Sequence, residues 1–392
     1  MNAFGLAISL LSLAIWLGLW LAWGKFWRAD QLLEDENESL ELQAWPTVAV
    51  VIPARNEADL LPTTLRSHFQ QDYPGQQTVV LVDDHSSDGT AQVARQVAQK
   101  LDREEQLVAI AAEPLPPSWT GKLWALEQGT KRAKALESTP KYLLLTDADI
   151  DRDPLTLRRL VAKAERHNLS LVSAMVRLRC TTAWEQWLIP AFVFFFQKLY
   201  PFPWVNDANK STAAAAGGCI LIRRDVLAKI GGIAAIREAL IDDCALAQAV
   251  KAGGQRAIWL GLSRDTLSLR PYPSLGSIWT MVARTAYTQL HYSPLLLLGT
   301  LVGMFLVYCV PPLAVVLGIA IAQPVVALIG IATWLLMARL YWPTLHFYDC
   351  PIWMSLGLPA IATLYTFMTL DSARRHWQGR GGAWKGRVYP QA

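Results

Sequence analysis

Residues 78–90 read TVVLVDDHSSDGT, an apolar, β-branched run that ends in two adjacent aspartates and a polar turn. Like charges this close repel each other, so Asp83 and Asp84 need a reason to stand side by side. One interpretation is a solvated turn in which Thr90 caps the following helix. The other is a ligand whose donor groups or metal ions require carboxylates at the end of a strand.

The same alternation of strand and helix continues from about Thr47 to about Leu269. Buried parallel strands are continuous apolar runs joined by helical crossovers, so the pattern predicts an α/β domain with a mostly parallel, Rossmann-like sheet. The strands are predicted at 47–53, 78–84, 107–112, 141–149 and 169–176, and the helices at 58–71, 90–100, 122–136 and 154–166. In such sheets ligands bind beyond the carboxyl ends of the strands.

The composition indicates a protein with both soluble and membrane parts. Of 392 residues 53% are hydrophobic and 17% are charged, which is too apolar for a purely soluble protein and too polar for a pure membrane bundle. A net charge of +4 does not suggest a nucleic-acid partner. The five cysteines have no metal-site spacing and are expected to be reduced thiols of a cytoplasmic protein.

Apolar segments near both ends predict membrane spans. Residues 4–23 carry no charge and lack the features of a cleaved signal peptide, so we expect an anchor. We expect this anchor to lie in the cell (inner) membrane. Lys25 and Arg28 follow it, which favours a cytoplasmic location for its carboxyl end. Further candidate spans are 295–322, 324–342 and 352–370. The basic tail also favours the cytoplasm, so we expect one of these three segments to be interfacial or re-entrant.

The predicted domain order follows from these segments. It is an N-terminal transmembrane anchor at 1–28, a linker at 29–46, an α/β domain at 47–293, a C-terminal transmembrane region at 294–371 and a basic cytoplasmic tail at 372–392. Within the α/β domain, residues 184–204 are aromatic and interrupted by prolines, which fits either an interfacial helix or an ordinary core helix.

A second acidic motif, TDAD at 146–149, follows the predicted fourth strand. Residues i and i+2 of a strand point the same way, so Asp147 and Asp149 are expected to converge. Divalent cations such as Mg²⁺ prefer oxygen ligands and are often held by one or two carboxylates with substrate phosphates. The motif therefore predicts a metal site.

Six sequence blocks between residues 50 and 259 resemble family 2 glycosyltransferases and keep that family's order. They are VVIPARNEADLLPTTL, LVDDHSSDGT, WTGKLWALEQG, LLTDADI, AAGGCILIRRDVL and ALIDDCALAQAVKAGGQRAIW. The resemblance implies a GT-A fold, a membrane-bound glycosyltransferase of the hexosyltransferase class, and a nucleotide-sugar donor, UDP- or GDP-linked, with UDP preferred.

The resemblance also implies a donor site. Its nucleotide pocket would be lined by Pro53, Ala54, Arg55 and Glu57. Asp83 or Asp84 would accept a hydrogen bond from the base, Lys122 would meet the diphosphate, and the side-chain-free Gly217 and Gly218 would allow the sugar to approach the backbone.

The resemblance also implies which residues bind the metal and which residue acts as the catalytic base. Asp147 would face the ribose or the metal, and Asp149 would hold Mg²⁺ or Mn²⁺. The family's usual Glu-Asp pair is Asp242-Asp243 here, and Asp243 would be the base of a single displacement with inversion. An acidic helix N-terminus without a catalytic role is the alternative interpretation of this pair.

The membrane segments and the C-terminal stretches resemble bacterial hopene-associated (HpnB-type) glycosyltransferases, which implies a lipid acceptor linked to hopanoids. The matching stretches are RTAYTQLHYSP and the tail GRGGAWKGRVY, which we expect to lie on anionic lipid. A processive polysaccharide synthase is the alternative, but its Q/R-x-x-R-W motif is reduced to MVART, where only Arg284 remains to contact the diphosphate or simply anchor the chain. A membrane-anchored nucleotide-binding protein without catalysis is the third possibility.

Overall fold

The computed structural model describes residues 3–35, 40–255 and 257–380, together with the backbone of 383–384 and 387–388. The chain divides into two compact units, which we name by their architecture. The helical unit comprises Met1–Ala29, Cys180–Pro203 and Tyr272–Gly382, and the sheet unit comprises Asp30–Arg179, Trp204–Pro271 and Ala383–Ala392.

The elements are numbered in chain order. The helices are α1 (Ala3–Leu21), α2 (Leu61–Phe69), α3 (Thr90–Lys100), α4 (Gly121–Lys134), α5 (Thr156–Arg166), α6 (Ala183–Leu199), α7 (Phe202–Val205), α8 (Arg224–Lys229), α9 (Asp242–Ala252), α10 (Leu275–Ala283), α11 (Pro294–Met304), α12 (Val310–Ala320), α13 (Pro324–Phe347) and α14 (Leu358–Trp377). The strands are β1 (Val48–Ala54), β2 (Gln77–Asp83), β3 (Leu107–Ala111), β4 (Tyr142–Leu145), β5 (Ile150–Arg152), β6 (Leu171–Arg177), β7 (Ile220–Arg223), β8 (Ile258–Ser268), β9 (Ala383–Trp384) and β10 (Arg387–Val388).

The sheet unit is built on an eight-stranded sheet in the order β3-β2-β1-β4-β7-β6-β8-β5. Strands β3, β2, β1 and β4 are parallel, β6 is parallel to β8, and β7 and β5 are antiparallel to their neighbours. The predicted mostly parallel sheet is confirmed. Every residue of β1 is buried, which explains why this strand is a continuous apolar run.

The register of the parallel strands brings the first two motifs together. Ala54 of β1 lies opposite Asp83 of β2, and the Asp84 amide donates to the Ala54 carbonyl at 2.8 Å. Strand β4 pairs with the other edge of β1 and ends at Leu145, opposite Val51. The carboxyl ends of three strands therefore meet at one edge of the sheet.

Among the described residues of the helical unit, four helical segments are long and apolar enough to cross a membrane: Ala3–Leu21, Pro294–Ala320, Pro324–Phe347 and Ile352–Trp377. Residues 180–203 and 272–293, predicted within the α/β domain, belong to this unit. In particular, α6 contributes Leu188, Ala191 and Phe194 to the core of the helical unit rather than to the sheet unit.

A π-helical segment, Phe305–Cys309, lies directly before α12, whose first turn contains Pro311 and Pro312. Proline has no N–H, so the carbonyl of Val307, four residues before Pro311, loses its usual donor. The indole Nε1 of Trp16 on α1 donates to that carbonyl at 2.7 Å. The proline pair thus creates the acceptor that fixes α1 against the next span.

Candidate active site

A cleft lies at the carboxyl end of β4, between the start of α4 and the start of α9. Six of its lining residues were predicted: Pro53, Lys122, Asp147, Gly217, Asp242 and Asp243. Thr146 and several apolar side chains complete the wall. The Thr120 hydroxyl caps α4 by accepting from the Leu123 amide at 3.4 Å, which sets Lys122 in the first turn.

Lys122 is the cation around which the cleft carboxylates gather. Its Nζ lies 3.0 Å from Asp147 Oδ1 and 3.0 Å from Asp242 Oδ2. Burial alone would lower the pKa of Lys122, but the carboxylates of Asp147, Asp242 and Asp243 outweigh it and raise the pKa above its usual value. The amine is therefore charged at every pH at which the protein works.

Asp243 is held by backbone donors at the start of α9. Its Oδ2 accepts from the Gly217 amide at 2.9 Å and its Oδ1 from the Cys244 amide at 2.8 Å. Burial and the charge of Asp242 raise the pKa of Asp243 to about 6, against the opposing effects of Lys122 and the two amides. A carboxylate with a pKa near neutrality is suited to proton transfer.

The two adjacent glycines face different surroundings. A Cβ on Gly217 would lie 3.3 Å from Lys122 Nζ and 3.4 Å from Asp243 Oδ2, so this residue faces the cleft. A Cβ on Gly218 would instead lie 3.0 Å from a Val176 methyl and 3.2 Å from an Ile150 methyl, so Gly218 packs inward. Of the two predicted glycines, only Gly217 lacks a side chain on the side that faces the cleft, where a sugar would need space.

The predicted nucleotide residues form a second cluster at the ends of β1 and β2. Asp84 is buried, and Arg55 Nη1 lies 3.6 Å from its Oδ2 and donates to its carbonyl at 2.6 Å. Asp83 is half-buried, and one of its oxygens accepts from the Ser86 amide at 3.0 Å. Because Asp84 is engaged with Arg55, Asp83 is the more accessible acceptor for a base.

Asp147 and Asp149 do not converge by strand alternation, because β4 ends at Leu145 and residues 146–149 leave the strand and turn at 148–149. Burial raises the pKa of Asp147, and the charge of Lys122 counters this while Asp149 and Asp242 add to it. Asp149 is buried, with its Oδ2 accepting from the Ser268 hydroxyl at 2.7 Å. The turn therefore sends the two carboxylates to different partners.

The carboxylates of Asp147 and Asp149 still fit a divalent cation that takes few protein ligands. Among the described residues no three His, Cys, Asp or Glu side chains are grouped to hold a metal by themselves. Mg²⁺ commonly takes one or two carboxylates and completes its shell with waters and substrate phosphates. Asp147 and Asp149 match that arrangement.

Two arginines that the sequence patterns did not single out stabilise this region. Arg152 is buried, and its Nη2 donates to the Thr146 hydroxyl at 2.7 Å and to the Gly218 carbonyl at 3.2 Å, behind the turn. Arg270 Nη2 lies 2.8 Å from Glu57 Oε1 and 3.5 Å from Asp149 Oδ1. A single arginine in a strand or loop carries no motif signal.

Arg284 follows α10 in the helical unit, and its contact with a diphosphate stays a prediction. In the tail, Gly381, Gly382 and Lys385 lie outside the described residues, and only backbone is described for Arg387. The role predicted for the tail therefore stays a prediction as well.

Comparison with solved structures identifies the class of protein to which this architecture belongs. Over 95% of this chain and 98% of the other, the structure superposes with a TM-score of 0.53 and 18% identity on the mannosyltransferase PcManGT from Pyrobaculum calidifontis in complex with GDP-Man and Mn²⁺. At that identity the likeness shows the fold, and it confirms the predicted GT-A fold with apolar helices at the N-terminus and in the C-terminal region.

Sequence comparison gives the family. The model of Glycosyl transferase family 21 matches residues 6–389, so this chain belongs to that family. The predicted glycosyltransferase resemblance is confirmed at this level, with family 21 in place of the predicted family 2.

Two curated relatives match shorter stretches. The undecaprenyl-phosphate 4-deoxy-4-formamido-L-arabinose transferase of Pseudomonas fluorescens (strain Pf0-1) is 31% identical over 125 residues, 30% of this chain. The 4,4'-diaponeurosporenoate glycosyltransferase of Staphylococcus haemolyticus (strain JCSC1435) is 29% identical over 115 residues, 29% of this chain. The chain spans 32% and 27% of the lengths of these relatives.

Proposed function

We propose that this protein is an inverting glycosyltransferase that moves a sugar from a nucleotide-sugar to the hydroxyl of a membrane lipid. The observation that carries the proposal is the position of Asp243, whose carboxylate adjoins Gly217 and Lys122 in one cleft. A base, a permanent cation and a stretch of open backbone are the three elements that a displacement at a sugar carbon requires.

In the proposed mechanism Asp243 accepts the proton of the attacking hydroxyl. Its pKa of about 6 leaves it mostly ionised at neutral pH and strong enough to take the proton. Such general-base assistance contributes about 10²–10⁴-fold to rate. The two backbone amides that hold the carboxylate fix its orientation, so little reorganisation is needed when the acceptor arrives.

Lys122 stabilises the departing diphosphate. Because its ammonium lies 3.0 Å from both Asp147 and Asp242, it is held at the cleft before the donor binds. A bound Mg²⁺ or Mn²⁺, held by Asp147 and Asp149, would act as a Lewis acid on the same diphosphate. Asp83 and the pair of Arg55 with the buried Asp84 would frame the nucleotide base, and Asp83 would accept a hydrogen bond from a ring N–H, a donor that both uracil and guanine carry.

A lipid acceptor is supported by two independent features. The described residues contain four candidate membrane spans, and the two curated relatives named above carry the name of an isoprenoid-derived substrate. We therefore propose an isoprenoid lipid, with a hopanoid as the first candidate, as the acceptor. Lys25 and Arg28 after α1 support a cell (inner) membrane location with the sheet unit facing the cytoplasm.

Transfer of labelled sugar into extracted lipid tests this function. Membranes that contain the full chain are incubated with UDP- or GDP-linked sugars and Mn²⁺, and the lipid extract is analysed by mass spectrometry. Asp243→Asn should abolish transfer but keep UDP binding, whereas Asp149→Asn should lose metal-dependent donor binding. Asp225→Asn, at a surface pair with Arg223, is the matched control and should retain activity.

Three results would contradict the proposal in different ways. Full activity of Asp243→Asn would remove the assigned base. A sugar polymer in place of a singly glycosylated lipid would indicate the processive alternative. Tight UDP binding without any transfer to lipid would indicate a nucleotide-binding protein that lacks catalysis.

A further inference from the structure

Two buried acidic residues of the sheet unit share one arginine. Glu57 is 7% exposed and Asp149 is 5% exposed, and both lie beside the guanidinium of Arg270. Nη2 of Arg270 donates to Glu57 Oε1 at 2.8 Å and lies 3.5 Å from Asp149 Oδ1. Arg270 therefore neutralises a carboxylate that the proposed function assigns to the metal.

Hydrogen bonds of the two preceding residues to Asp149 fix the backbone position of Arg270. It follows the end of β8 by two residues, and the intervening Leu269 amide donates to the Asp149 carbonyl at 2.9 Å. Ser268, the last residue of β8, donates its hydroxyl to Asp149 Oδ2. The segment 268–270 thus contacts both the backbone and the side chain of Asp149.

The electrostatic consequence concerns cation binding. Two carboxylates withdrawn from water need a positive partner, and an arginine supplies one at every physiological pH. A divalent cation at Asp149 would meet the guanidinium that already occupies Oδ1, so the two cations repel each other. A diphosphate changes this balance, because its negative charge offsets both cations and its oxygens match the fork of the guanidinium.

We propose that Arg270 is a positioning residue that holds Asp149 in the free protein and makes metal binding there conditional on the nucleotide diphosphate. The inference rests on the proposed function and extends it to the order of binding. The cation alone binds weakly, the nucleotide diphosphate draws Arg270 from Asp149, and the cation then enters between Asp149 and the phosphates.

Electron paramagnetic resonance titration with Mn²⁺ tests the proposal without any measurement of catalysis. The full chain in detergent is titrated with Mn²⁺ alone and with saturating UDP. We expect UDP to tighten Mn²⁺ binding by at least about tenfold in the wild type, within the usual range of coupling between sites. Arg270→Gln should bind Mn²⁺ alone about tenfold more tightly than the wild type, so that UDP tightens its Mn²⁺ binding by less than in the wild type.

Three further variants make the result specific. Arg270→Lys keeps the charge and should keep Mn²⁺ binding weak without UDP. Glu57→Gln removes the other carboxylate that Arg270 contacts, so Arg270 should pair more strongly with Asp149. In the absence of UDP, Mn²⁺ should therefore bind this variant more weakly than the wild type. Arg66→Gln, an exposed arginine on α2, is the control and should match the wild type.

The outcomes separate this inference from the proposed function. Coupling of Mn²⁺ and UDP in the wild type, with unchanged or weaker Mn²⁺ binding by Arg270→Gln, overturns the role of Arg270 and leaves the donor site intact. No Mn²⁺ binding by the wild type with UDP overturns both. Should Arg270→Gln not fold, Glu57→Gln decides, and Mn²⁺ binding equal to or tighter than the wild type refutes the inference.

Discussion

Replacement of Lys122 by methionine should show how strongly the cleft depends on one charge. The variant keeps the length of the side chain but removes the ammonium that lies 3.0 Å from Asp147 and 3.0 Å from Asp242. At an effective dielectric constant of about 20, each contact corresponds to about 5 kcal/mol of attraction before desolvation is subtracted. Leaving fully buried charges without their partner typically costs about 3–5 kcal/mol of unfolding free energy, which is an upper limit here because the side chains of Lys122, Asp147 and Asp242 are 19%, 36% and 21% exposed.

For a unit of this size that loss corresponds to a fall of about 6–20 °C in the unfolding midpoint. Tryptophan fluorescence of the protein in detergent, recorded on heating, measures it. Because burial already raises the pKa of Asp147 and Asp243, the folded variant binds protons more tightly than the unfolded chain. Its stability should therefore fall as pH rises, and the loss relative to wild type should be larger at pH 8 than at pH 5.

The double variant Lys122→Met/Asp242→Asn is the control for this charge argument. Removal of one of the unpaired carboxylates should recover part of the lost stability, because less like charge remains in the cleft. A midpoint of Lys122→Met within 2 °C of wild type at pH 8 would refute the reasoning. So would a larger loss at pH 5 than at pH 8, because protonated carboxylates need no cation.

Three more predictions concern the same region. Asp242→Asn should shift the acid limb of the pH–activity profile, expected near pH 6 for Asp243, to lower pH because a like charge is removed; an unmoved limb contradicts this. Gly218→Ala should lose about 1–3 kcal/mol of unfolding free energy through overpacking, while Gly217→Ala, whose nearest neighbours are polar side-chain ends 3.3 and 3.4 Å away at the cleft, should lose less; equal losses contradict the assigned directions. Arg152→Met should cost about 1–3 kcal/mol in denaturant unfolding, and an unchanged midpoint contradicts its supporting role.

Local sequence patterns determined much of the fold. Continuous apolar runs specify β1, β2, β4 and β6, because a strand buried on both faces has no polar position to interrupt it. The strand β5, with three residues, is too short to leave a pattern, and polar residues near the end of β8 obscure its period. The strand β7 has four residues, as β4 has, but was not predicted. Of these strands, β5 and β7 run antiparallel to their neighbours.

The sequence alone also placed acidic residues at the ends of β2 and β4, since a strand end is a local property of the chain. It did not determine where each side chain points or which charge it meets. The turn after Leu145 directs Asp149 inward, and the pair of Glu57 with Arg270 joins residues 213 positions apart. Only the tertiary structure makes such pairs, because the free energy of a buried charge depends on which partner the folded chain brings within a few ångströms.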